Sequence, residues 1–320
     1  MSSSTKPLSS PKGIRDSDGR FGNDDTSTTN VTALHVAIPE RRDRNRATLT
    51  MVAGPDVGRV YSLGSEVTIG RSRQCTIALD DAGISRIHTR IITSTSGERI
   101  LTDLGSRNGT FIDSVRVDKH VLRDGERVQV GPTVQLRYTV TDDDEERILR
   151  ELYESSVRDP LTGAFNRKHF QERLQSELAF ATRHRTELAL LMLDIDHFKL
   201  VNDTIGHPGG DHVLRVVANL VARTIRTEDV FARYGGEEFT VIARGIGQEG
   251  ALALGERIRS NLEATRIEFD GTTLRATVSI GVATVACCES SVSADAIVAL
   301  ADRRLYDAKH SGRNRVVGHR

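Results

Sequence analysis

Two pairs of acidic residues in the second half of the sequence have a spacing that suits metal-assisted chemistry. The apolar run 188–193 predicts a buried strand leading into Asp194 and Asp196, whose side chains would point to the same side of an extended chain. Glu237 and Glu238 follow two glycines between two apolar segments, a pattern typical of a hairpin. Because an Asp-x-Asp sequence also commonly just ends a strand, the aspartate pair alone is weak evidence for a functional site. The glutamate pair is what strengthens that interpretation.

The hairpin tip has the residues that a ligand-binding turn needs. Gly235 and Gly236 permit positive φ angles and let a bulky ligand approach the backbone. If the hairpin brings Glu237 and Glu238 beside Asp194, the concentrated negative charge requires cations. Oxygen-rich carboxylate clusters favour Mg²⁺, which is usually shared with substrate phosphates. These residues therefore predict phosphoryl or nucleotidyl transfer, in which two metal ions activate the attacking oxygen and stabilise the leaving one.

The elements that must position these residues alternate between helix and strand after residue 159. Four apolar segments predict strands: LALLMLDI, VFARY, EFTVIA and LRATVSIGVA. Apolar residues also recur at helical spacing along two segments, at Val213, Val217, Leu220, Val221 and Ile225, and at Ile297, Leu300, Ala301 and Leu305. The second half is therefore predicted to be an α/β or α+β domain with helices packed on a sheet.

Five motifs of this half, in their order along the chain, resemble those of the GGDEF diguanylate cyclases. They are DPLTGAFNR from Asp159, DIDHFKLVND from Asp194, GHPGGD from Gly206, GGEEF from Gly235 and KHSGRN from Lys309. The resemblance covers residues 159–320 and implies a fold similar to the palm of nucleotide cyclases and polymerases. It also implies that two GTP molecules are joined into cyclic di-GMP and two pyrophosphates, with two Mg²⁺ ions, or Mn²⁺ as the alternative, in each active site.

The resemblance assigns the catalytic roles to the acidic residues. Asp194, the carbonyl group of Ile195 and Glu237 would hold the metal ions, and Glu238 would position or deprotonate the attacking 3′-hydroxyl group. Asp194, Glu237 and Glu238 are thus the predicted catalytic residues.

The same resemblance predicts how the nucleotide is bound. Asn202 and Asp211 would read guanine, because a carboxylate accepts hydrogen bonds from N1–H and the exocyclic amine, which adenine does not offer in that arrangement. Positively charged side chains would pair with the triphosphate. The remaining predicted GTP contacts are Phe198, Lys199, Gly235, Gly236, Lys309 and Arg313.

A second ligand site is implied just before the hairpin. Arg226 and Asp229 form an Arg-x-x-Asp sequence that resembles the inhibitory product site of these cyclases, and Arg257 matches a further inhibitory arginine. Without the family resemblance, Arg226 and Asp229 would be interpreted as part of the ordinary charged end of a helix. The resemblance predicts feedback inhibition by cyclic di-GMP.

The segment 47–140 breaks into many short β-rich pieces and predicts a sandwich or barrel. Its signals Gly70-Arg71, Ser85-Arg-Ile-His88 and Asp103-Leu-Gly-Ser-Arg-Asn108-Gly-Thr resemble a forkhead-associated (FHA) domain, a β-sandwich that binds phosphothreonine peptides. Arg71 and Ser85 would hold the phosphate and Asn108 the peptide backbone, while Arg86 would add charge or select the residues after the phosphothreonine. His88 is expected to brace the loop.

Two segments flank this predicted sandwich. Residues 141–158 predict a linker helix whose Ile148, Leu149 and Leu152 fit either a plain connector or a short coiled coil between two chains. Residues 1–46 have few large apolar groups and predict a disordered tail. Candidate phosphorylation sites for a Ser/Thr kinase are Thr26, Thr28 and Thr29, which would make the tail a ligand of its own FHA domain in place of a peptide in trans. An inert tail is the alternative.

Composition limits the partners and the location. With 44 basic and 44 acidic side chains in 320 residues the formal net charge is zero, so we expect neither nucleic-acid nor membrane binding. The longest apolar run is too short to cross a bilayer and the N-terminus lacks a secretory signal, so we expect a cytoplasmic protein. Cys75, Cys287 and Cys288 have neither disulfide nor zinc spacing, which favours inert thiols.

These patterns predict a multidomain signalling enzyme: an all-β FHA sandwich, a linker helix and an α/β (α+β) cyclase domain that acts as a homodimer. Phosphothreonine binding and product inhibition would regulate it. Two alternatives belong to other functional classes, a non-catalytic cyclic di-GMP receptor and a phosphopeptide-recruited scaffold.

Overall fold

The computed structural model describes residues 45–54, 56–79, 81–287 and 293–318 of the chain. The predicted tail lies outside the described residues except for Asn45 and Arg46, and so do Thr26, Thr28, Thr29 and Cys288.

The first part of the described chain is a β-sandwich. Its strands are β1 (Arg46–Ala53), β2 (Val60–Ser62), β3 (Glu66–Gly70), β4 (Ile77–Ala78), β5 (Thr89–Thr93), β6 (Arg99–Asp103), β7 (Thr110–Ile112), β8 (Val115–Val117), β9 (Lys119–Val121), β10 (Arg127–Val130) and β11 (Val134–Thr141). One sheet has the order β2-β1-β11-β10-β7-β8 and the other β4-β3-β5-β6-β9. The predicted sandwich is thus confirmed, and the barrel is not formed.

Alternating side chains explain why these segments become strands of a sandwich. In β10, Val128 and Val130 are fully buried, whereas the alternate residues Arg127 and Gln129 are exposed and half-buried, respectively. In β11 the inward residues are Val134, Leu136 and Tyr138. A period of two places every second side chain in the shared core, which fixes the pairing register of the strands.

A single helix, α1 (Asp143–Val157), connects the sandwich to the second domain. Asp142 caps it by accepting a hydrogen bond from the backbone N–H of Glu145 at 2.8 Å, and acidic residues fill its first turn, where the helix dipole favours them. Ile148 and Leu152, one turn apart, are 51% and 60% exposed. The helix therefore leaves more than half of each of these two apolar side chains exposed.

The second domain is a mixed sheet with helices on both faces. Its helices are α2 (Arg167–His184), α3 (Phe198–Thr224), α4 (Gln248–Ala264) and α5 (Ala294–His310). Its strands are β12 (Leu188–Ile195), β13 (Val230–Gly235), β14 (Glu238–Arg244), β15 (Ile267–Phe269), β16 (Thr272–Leu274), β17 (Val278–Thr284) and β18 (Val316–Val317). The main sheet has the order β13-β14-β12-β17-β18 and is antiparallel except for the pair β17 and β18. The predicted α/β (α+β) domain is confirmed.

The central strand β12 is buried along its whole length, as its continuous apolar sequence predicts. Leu191 and Leu193 contribute to a core with α3 and α4, and Leu190 and Met192 to a second core with α2 and α5. Side chains alternate along a strand, so Asp194 points to the same face as Leu190 and Met192, the face that packs against α5.

One predicted strand is divided in the structure. The segment LRATVSIGVA is interrupted after Leu274, which belongs to the small β15–β16 hairpin, and β17 begins only at Val278. Just before β17, the backbone carbonyl of Thr277 accepts a hydrogen bond from the N–H of Asp196, and the Thr277 hydroxyl group donates to the Asp196 carboxylate. No helix in the described residues is long and apolar enough to span a membrane.

Candidate functional site

The end of β12 and the tip of the β13–β14 hairpin bring the predicted catalytic residues together. Asp194 lies directly opposite Glu238 in the antiparallel ladder, so the two side chains project from the same face of the sheet. The backbone N–H of Ile195 lies 3.4 Å from the carbonyl oxygen of Glu237, which joins the hairpin tip to the strand end. The tip residue Gly236 has a φ of +41°, the left-handed region that a glycine adopts without strain.

Asp194 is the most buried carboxylate of this cluster, at 6% exposure. Its pKa is raised to about 6, because burial and the neighbouring charges of Glu237 and Glu238 together outweigh the opposing effect of Lys309. The Nζ atom of Lys309, in the last turn of α5, lies 2.6 Å from Asp194 Oδ2. A carboxylate cluster this poorly solvated requires positive charge close by.

The donor set fits a divalent cation that is shared with a substrate. Among the described residues, no three acidic, histidine or cysteine side chains converge into a ready-made metal site. Asp194, Glu237 and the carbonyl group of Ile195 instead offer a few hard oxygen donors at one edge. Mg²⁺ is typically bound in this way, through one or two carboxylates completed by phosphate oxygens and water.

An ion pair that the sequence analysis did not identify holds the hairpin. Arg233 Nη1 lies 3.2 and 3.1 Å from the two carboxylate oxygens of Asp159, and its Nε donates to the carbonyl oxygen of Gly236 at 2.8 Å. Burial raises the pKa of Asp159, but hydrogen bonds from Thr162 and the charge of Arg233 outweigh it and bring the pKa below its ordinary value. The only sequence signal was the DPLTG motif, which carries no spacing information that points to Arg233.

Asp196 projects from the same face of the sheet as Asp194, as the Asp-x-Asp spacing predicts, because Ser279, which bonds to its carboxylate, lies directly opposite Asp194 in the ladder. Its carboxylate accepts hydrogen bonds from the hydroxyl groups of Ser279 at 2.6 Å and Thr277 at 2.7 Å, and from the backbone N–H of Asn314 at 3.0 Å. Asp196 therefore anchors the C-terminal KHSGRN segment to the sheet.

A kink in α3 forms the predicted guanine-reading corner. Gly206 interrupts the helix with non-helical φ and ψ of 74° and 169°, and a new helical segment carries Asp211 in its early turns. A Cβ atom at Gly210 would lie 1.9 Å from Asn202 Oδ1, so only glycine lets the Asn202 amide lie over the backbone beside Asp211. Asn202 therefore lies against the residue that precedes Asp211.

The other residues predicted to contact GTP differ in burial and in position. Phe198 is buried and its ring lies close to Gly210, whereas Lys199 and Arg313 are exposed. Lys309 contacts Asp194 as described above. Gly235 and Gly236 are exposed at the hairpin tip.

The three predicted product-site residues line one cavity of about 110 Å³. Asp229 accepts hydrogen bonds from the backbone N–H groups of Arg226 at 2.9 Å and Arg244 at 3.3 Å. Arg257 donates to the carbonyl oxygen of Thr224 at 3.0 Å. Burial raises the pKa of Asp229, although these hydrogen bonds partly oppose it.

The sandwich has a groove of about 780 Å³ lined by Arg71, Ser85, Arg86 and Arg107. The backbone N–H of Arg107 donates to Ser85 Oγ at 3.1 Å, and Asn108 Nδ2 donates to the carbonyl oxygen of Gly83 at 2.8 Å. Three of the four predicted phosphothreonine contacts thus line one groove, and the fourth, Asn108, is bonded to Gly83 in its wall.

His88 and Asp103 support this groove from inside. His88 is fully buried, accepts from the N–H of Ser85 at 3.1 Å and hydrogen-bonds the Gly109 carbonyl oxygen at 3.0 Å, as the bracing role predicts. Asp103 accepts from the hydroxyl groups of Ser106 and Thr110 at 2.6 and 2.7 Å. Both residues connect the two binding loops without reaching the groove surface.

Comparison with known proteins agrees with both halves of the chain. A family model described as "Diguanylate cyclase, GGDEF domain" matches residues 156–315, and one described as "FHA domain" matches residues 67–131. The probable diguanylate cyclase DgcT of Escherichia coli K12 is 44% identical over 160 residues, which are 50% of this chain and 35% of DgcT. Diguanylate cyclase DgcP of Pseudomonas aeruginosa is 39% identical over 168 residues, 52% of this chain and 25% of DgcP. The chain thus spans about a third or less of the length of these two curated relatives.

Two solved structures have the same fold in the second domain. The coiled coil and GGDEF domain of DgcB from Caulobacter crescentus, in complex with c-di-GMP, match 55% of this chain and 93% of that chain, with a TM-score of 0.52 and 33% identity. Diguanylate cyclase SiaD of Pseudomonas aeruginosa, in complex with its activator SiaC, matches 55% of this chain and 68% of that chain, with a TM-score of 0.50 and 36% identity.

Proposed function

Because this chain belongs to the GGDEF family of diguanylate cyclase domains, with an FHA domain N-terminal to that domain, we propose that it joins two GTP molecules into cyclic di-GMP and two pyrophosphates. The observation that carries the proposal is the pairing of Asp194 with Glu238 at the glycine-tipped hairpin. A binding-only domain does not need a buried carboxylate and two glutamates at one sheet edge, because their mutual repulsion is costly without cations.

In this proposal the acidic residues divide the chemical work. Glu238 positions the attacking 3′-hydroxyl group and accepts its proton. Asp194, the Ile195 carbonyl group and Glu237 would hold two Mg²⁺ ions, or Mn²⁺ in their place. When bound, these ions would neutralise the triphosphate and stabilise charge on the attacking and leaving oxygens.

The neighbouring residues bind and orient GTP. Asn202, which lies against Gly210, and Asp211 read the guanine edge, and this recognition disfavours ATP. Lys199, Lys309 and Arg313 bind triphosphate oxygens. Lys309 already lies within 2.6 Å of Asp194, so its ammonium group is positioned at the edge that the phosphates would occupy.

The active form is proposed to be a homodimer, because the product is made from two nucleotides that must face each other in two active sites. The apolar stripe on α1, formed by the exposed Ile148 and Leu152, is the surface that supports this pairing. A short coiled coil through α1 would place two cyclase domains next to each other.

We propose two controls on activity. A phosphothreonine peptide binds the sandwich groove through Arg71, Ser85, Arg86 and Asn108, the peptide being a partner in trans or the chain's own tail after modification by a Ser/Thr kinase. Cyclic di-GMP binds at Arg226, Asp229 and Arg257 and inhibits. A cytoplasmic location follows from the use of GTP as substrate.

The test uses the full chain stripped of bound nucleotide. With GTP and Mg²⁺ we expect cyclic di-GMP by chromatography, and we expect Glu238→Gln to abolish its formation while GTP binding by calorimetry stays within threefold. The matched control Glu268→Gln changes an exposed glutamate of β15 and should behave as wild type. Cyclic di-GMP binding without any synthesis by the wild-type chain would instead establish a receptor.

A further inference from the structure

A cleft of about 800 Å³ lies between the sandwich and the cyclase domain. Arg71 lines both this cleft and the phosphothreonine groove, and Asp229 lines both the cleft and the product cavity. The two proposed ligand sites therefore open toward one shared space, with one residue of each site in its wall.

Among the described residues, two ion pairs cross the cleft, and they differ in burial. Arg173 of α2 contacts Asp56 of the sandwich at 3.4 Å, and both side chains are only about 15% exposed. Arg173 also contacts the buried Glu177, which pairs with Arg244. This network has little access to water and fixes the two domains to each other.

The second pair is accessible. Arg73 Nη1 lies 3.4 Å from Glu228 Oε1, with the two side chains 67% and 29% exposed. An exposed pair contributes little free energy and exchanges partners readily. Of the two contacts, this one can respond to a ligand.

Both partners of the exposed pair lie within two residues of a proposed ligand site. Backbone hydrogen bonds from Arg71 N–H to the Ser85 carbonyl and from Ser72 N–H to the Arg86 carbonyl, both 2.9 Å, hold the segment that ends in Arg73 beside the phosphate groove. Glu228 lies in the tight turn that Arg226 and Asp229 close with two hydrogen bonds, at 2.9 and 3.1 Å.

We propose that the Arg73–Glu228 ion pair couples the phosphothreonine groove to the product site, so that a ligand at one site weakens binding at the other. The inference rests on the two ligand sites of the proposed function. A phosphate dianion at Arg71 and Ser85 attracts the Arg73 guanidinium group away from Glu228. The released Glu228 carboxylate then neutralises Arg226 and competes with the phosphates of cyclic di-GMP.

The reverse effect follows from thermodynamic linkage. Product phosphates at Arg226 displace Glu228, which then holds Arg73 more firmly and withdraws it from the groove. The two binding free energies must change by the same amount. Phosphothreonine binding would therefore relieve product inhibition, which gives the groove an activating role.

The test is a titration of cyclic di-GMP on the full chain, stripped of nucleotide, in four forms: wild type, Arg73→Gln, Glu228→Gln and the double variant. We expect Arg73→Gln to weaken product binding about two- to fivefold and Glu228→Gln to strengthen it about two- to fivefold, the range for one exposed ion pair. The double variant should match Glu228→Gln, because Arg73 acts only through Glu228. Arg90→Gln, which breaks an exposed pair with Glu66 inside the sandwich, is the control and should match wild type.

The outcomes are distinguishable. A double variant that returns to the wild-type affinity shows that two independent surface charges act additively, and it overturns the coupling. Equal affinities in all four forms overturn it as well, and both results leave the proposed product site standing. A wild-type chain that does not bind cyclic di-GMP overturns both the product site and the coupling.

A second measurement tests the ligand effect directly. Phosphothreonine at millimolar concentration should weaken cyclic di-GMP binding about two- to fivefold in wild type and leave Arg73→Gln unchanged. Weakening that persists in Arg73→Gln would mean that phosphothreonine competes at the product site itself, and it would refute the coupling. No weakening in wild type would refute it too.

Discussion

The Asp159–Arg233 ion pair is expected to hold the catalytic hairpin in its working position. Arg233 contacts both Asp159 oxygens at 3.1 to 3.2 Å and the Gly236 carbonyl oxygen at 2.8 Å. The change Asp159→Asn keeps the shape of the side chain and an oxygen for the Thr162 hydrogen bonds, but it removes the negative charge. Arg233 then loses its ion pair and the hydrogen bond to Oδ2, which leaves the tip of the hairpin less firmly held.

The magnitude follows from the burial of the pair. Both side chains are less than a fifth exposed, at 19% for Arg233 and 17% for Asp159. The free-energy contribution of such a pair should lie between that of an exposed ion pair and that of a buried charged hydrogen bond. Its loss should therefore cost about 1–2 kcal/mol of unfolding free energy. For a domain of this size the melting temperature should fall by about 2–8 °C. We expect kcat to fall about tenfold, equivalent to about 1.4 kcal/mol, with KM for GTP within threefold, because Asp159 positions the hairpin and does not contact GTP.

A double-mutant cycle with Arg233→Met isolates the pair from other effects. Unfolding free energy and kcat are measured for both single variants and the double variant, and we expect a coupling of about 1–2 kcal/mol in stability. Asp270→Asn, at an exposed turn of the β15–β16 hairpin, is the matched control. Strictly additive free energies, together with an unchanged kcat in Asp159→Asn, would refute the positioning role.

Three further predictions concern the other sites. Gly210→Ala should raise KM for GTP more than about tenfold by displacing the Asn202 amide, although alanine favours helix formation over glycine by about 1 kcal/mol. Gly64→Ala, where the added Cβ atom contacts nothing, is the control. An unchanged KM in Gly210→Ala would contradict the guanine pocket. Arg71→Ala should weaken a bound phosphothreonine peptide about 30-fold or more in a fluorescence anisotropy titration, and equal affinity would remove Arg71 from the phosphate site. Burial raises the pKa of Asp103, but hydrogen bonds from Ser106 and Thr110 outweigh it and hold the pKa below its ordinary value, so its stabilising effect is present at neutral pH and is lost as the pH falls through this lowered pKa. Asp103→Asn should therefore lower the melting temperature at pH 7 by several degrees and by less near pH 3, and an equal loss at both pH values would contradict this sign.

The sequence predicted the parts of the fold that depend on local periodicity. The alternation in β10 and β11 and the continuous apolar run of β12 each identify a strand and its buried face. The division of the segment after Leu274 was missed, because Leu274 pairs with Ile267 in a separate hairpin, whereas β17 pairs with β12, far earlier in the chain. Contacts at such separations leave no periodic trace in the sequence.

The site shows the same contrast. The motifs were sufficient to predict that Asp194 and Glu238 come together and that Arg226 and Arg257 share a cavity. They also indicated that Asn202 lies near the start of the segment that carries Asp211. Asp196 lies on the same face as Asp194, as its spacing predicts, but its hydrogen bonds with Thr277, Ser279 and Asn314 were not foreseen. The Asp159–Arg233 and Arg73–Glu228 pairs were not foreseen, because ordinary charged residues gain a role only when folding sets them opposite each other.

The most direct test of the central claim is the stoichiometry of the reaction. The stripped full chain is incubated with GTP and Mg²⁺, and cyclic di-GMP and pyrophosphate are quantified in the same samples for wild type and Glu238→Gln. We predict two pyrophosphates for each cyclic di-GMP in wild type and neither product in Glu238→Gln. Pyrophosphate without cyclic di-GMP, or equal rates in the two proteins, would contradict the assignment of the Asp194–Glu238 site as a diguanylate cyclase centre.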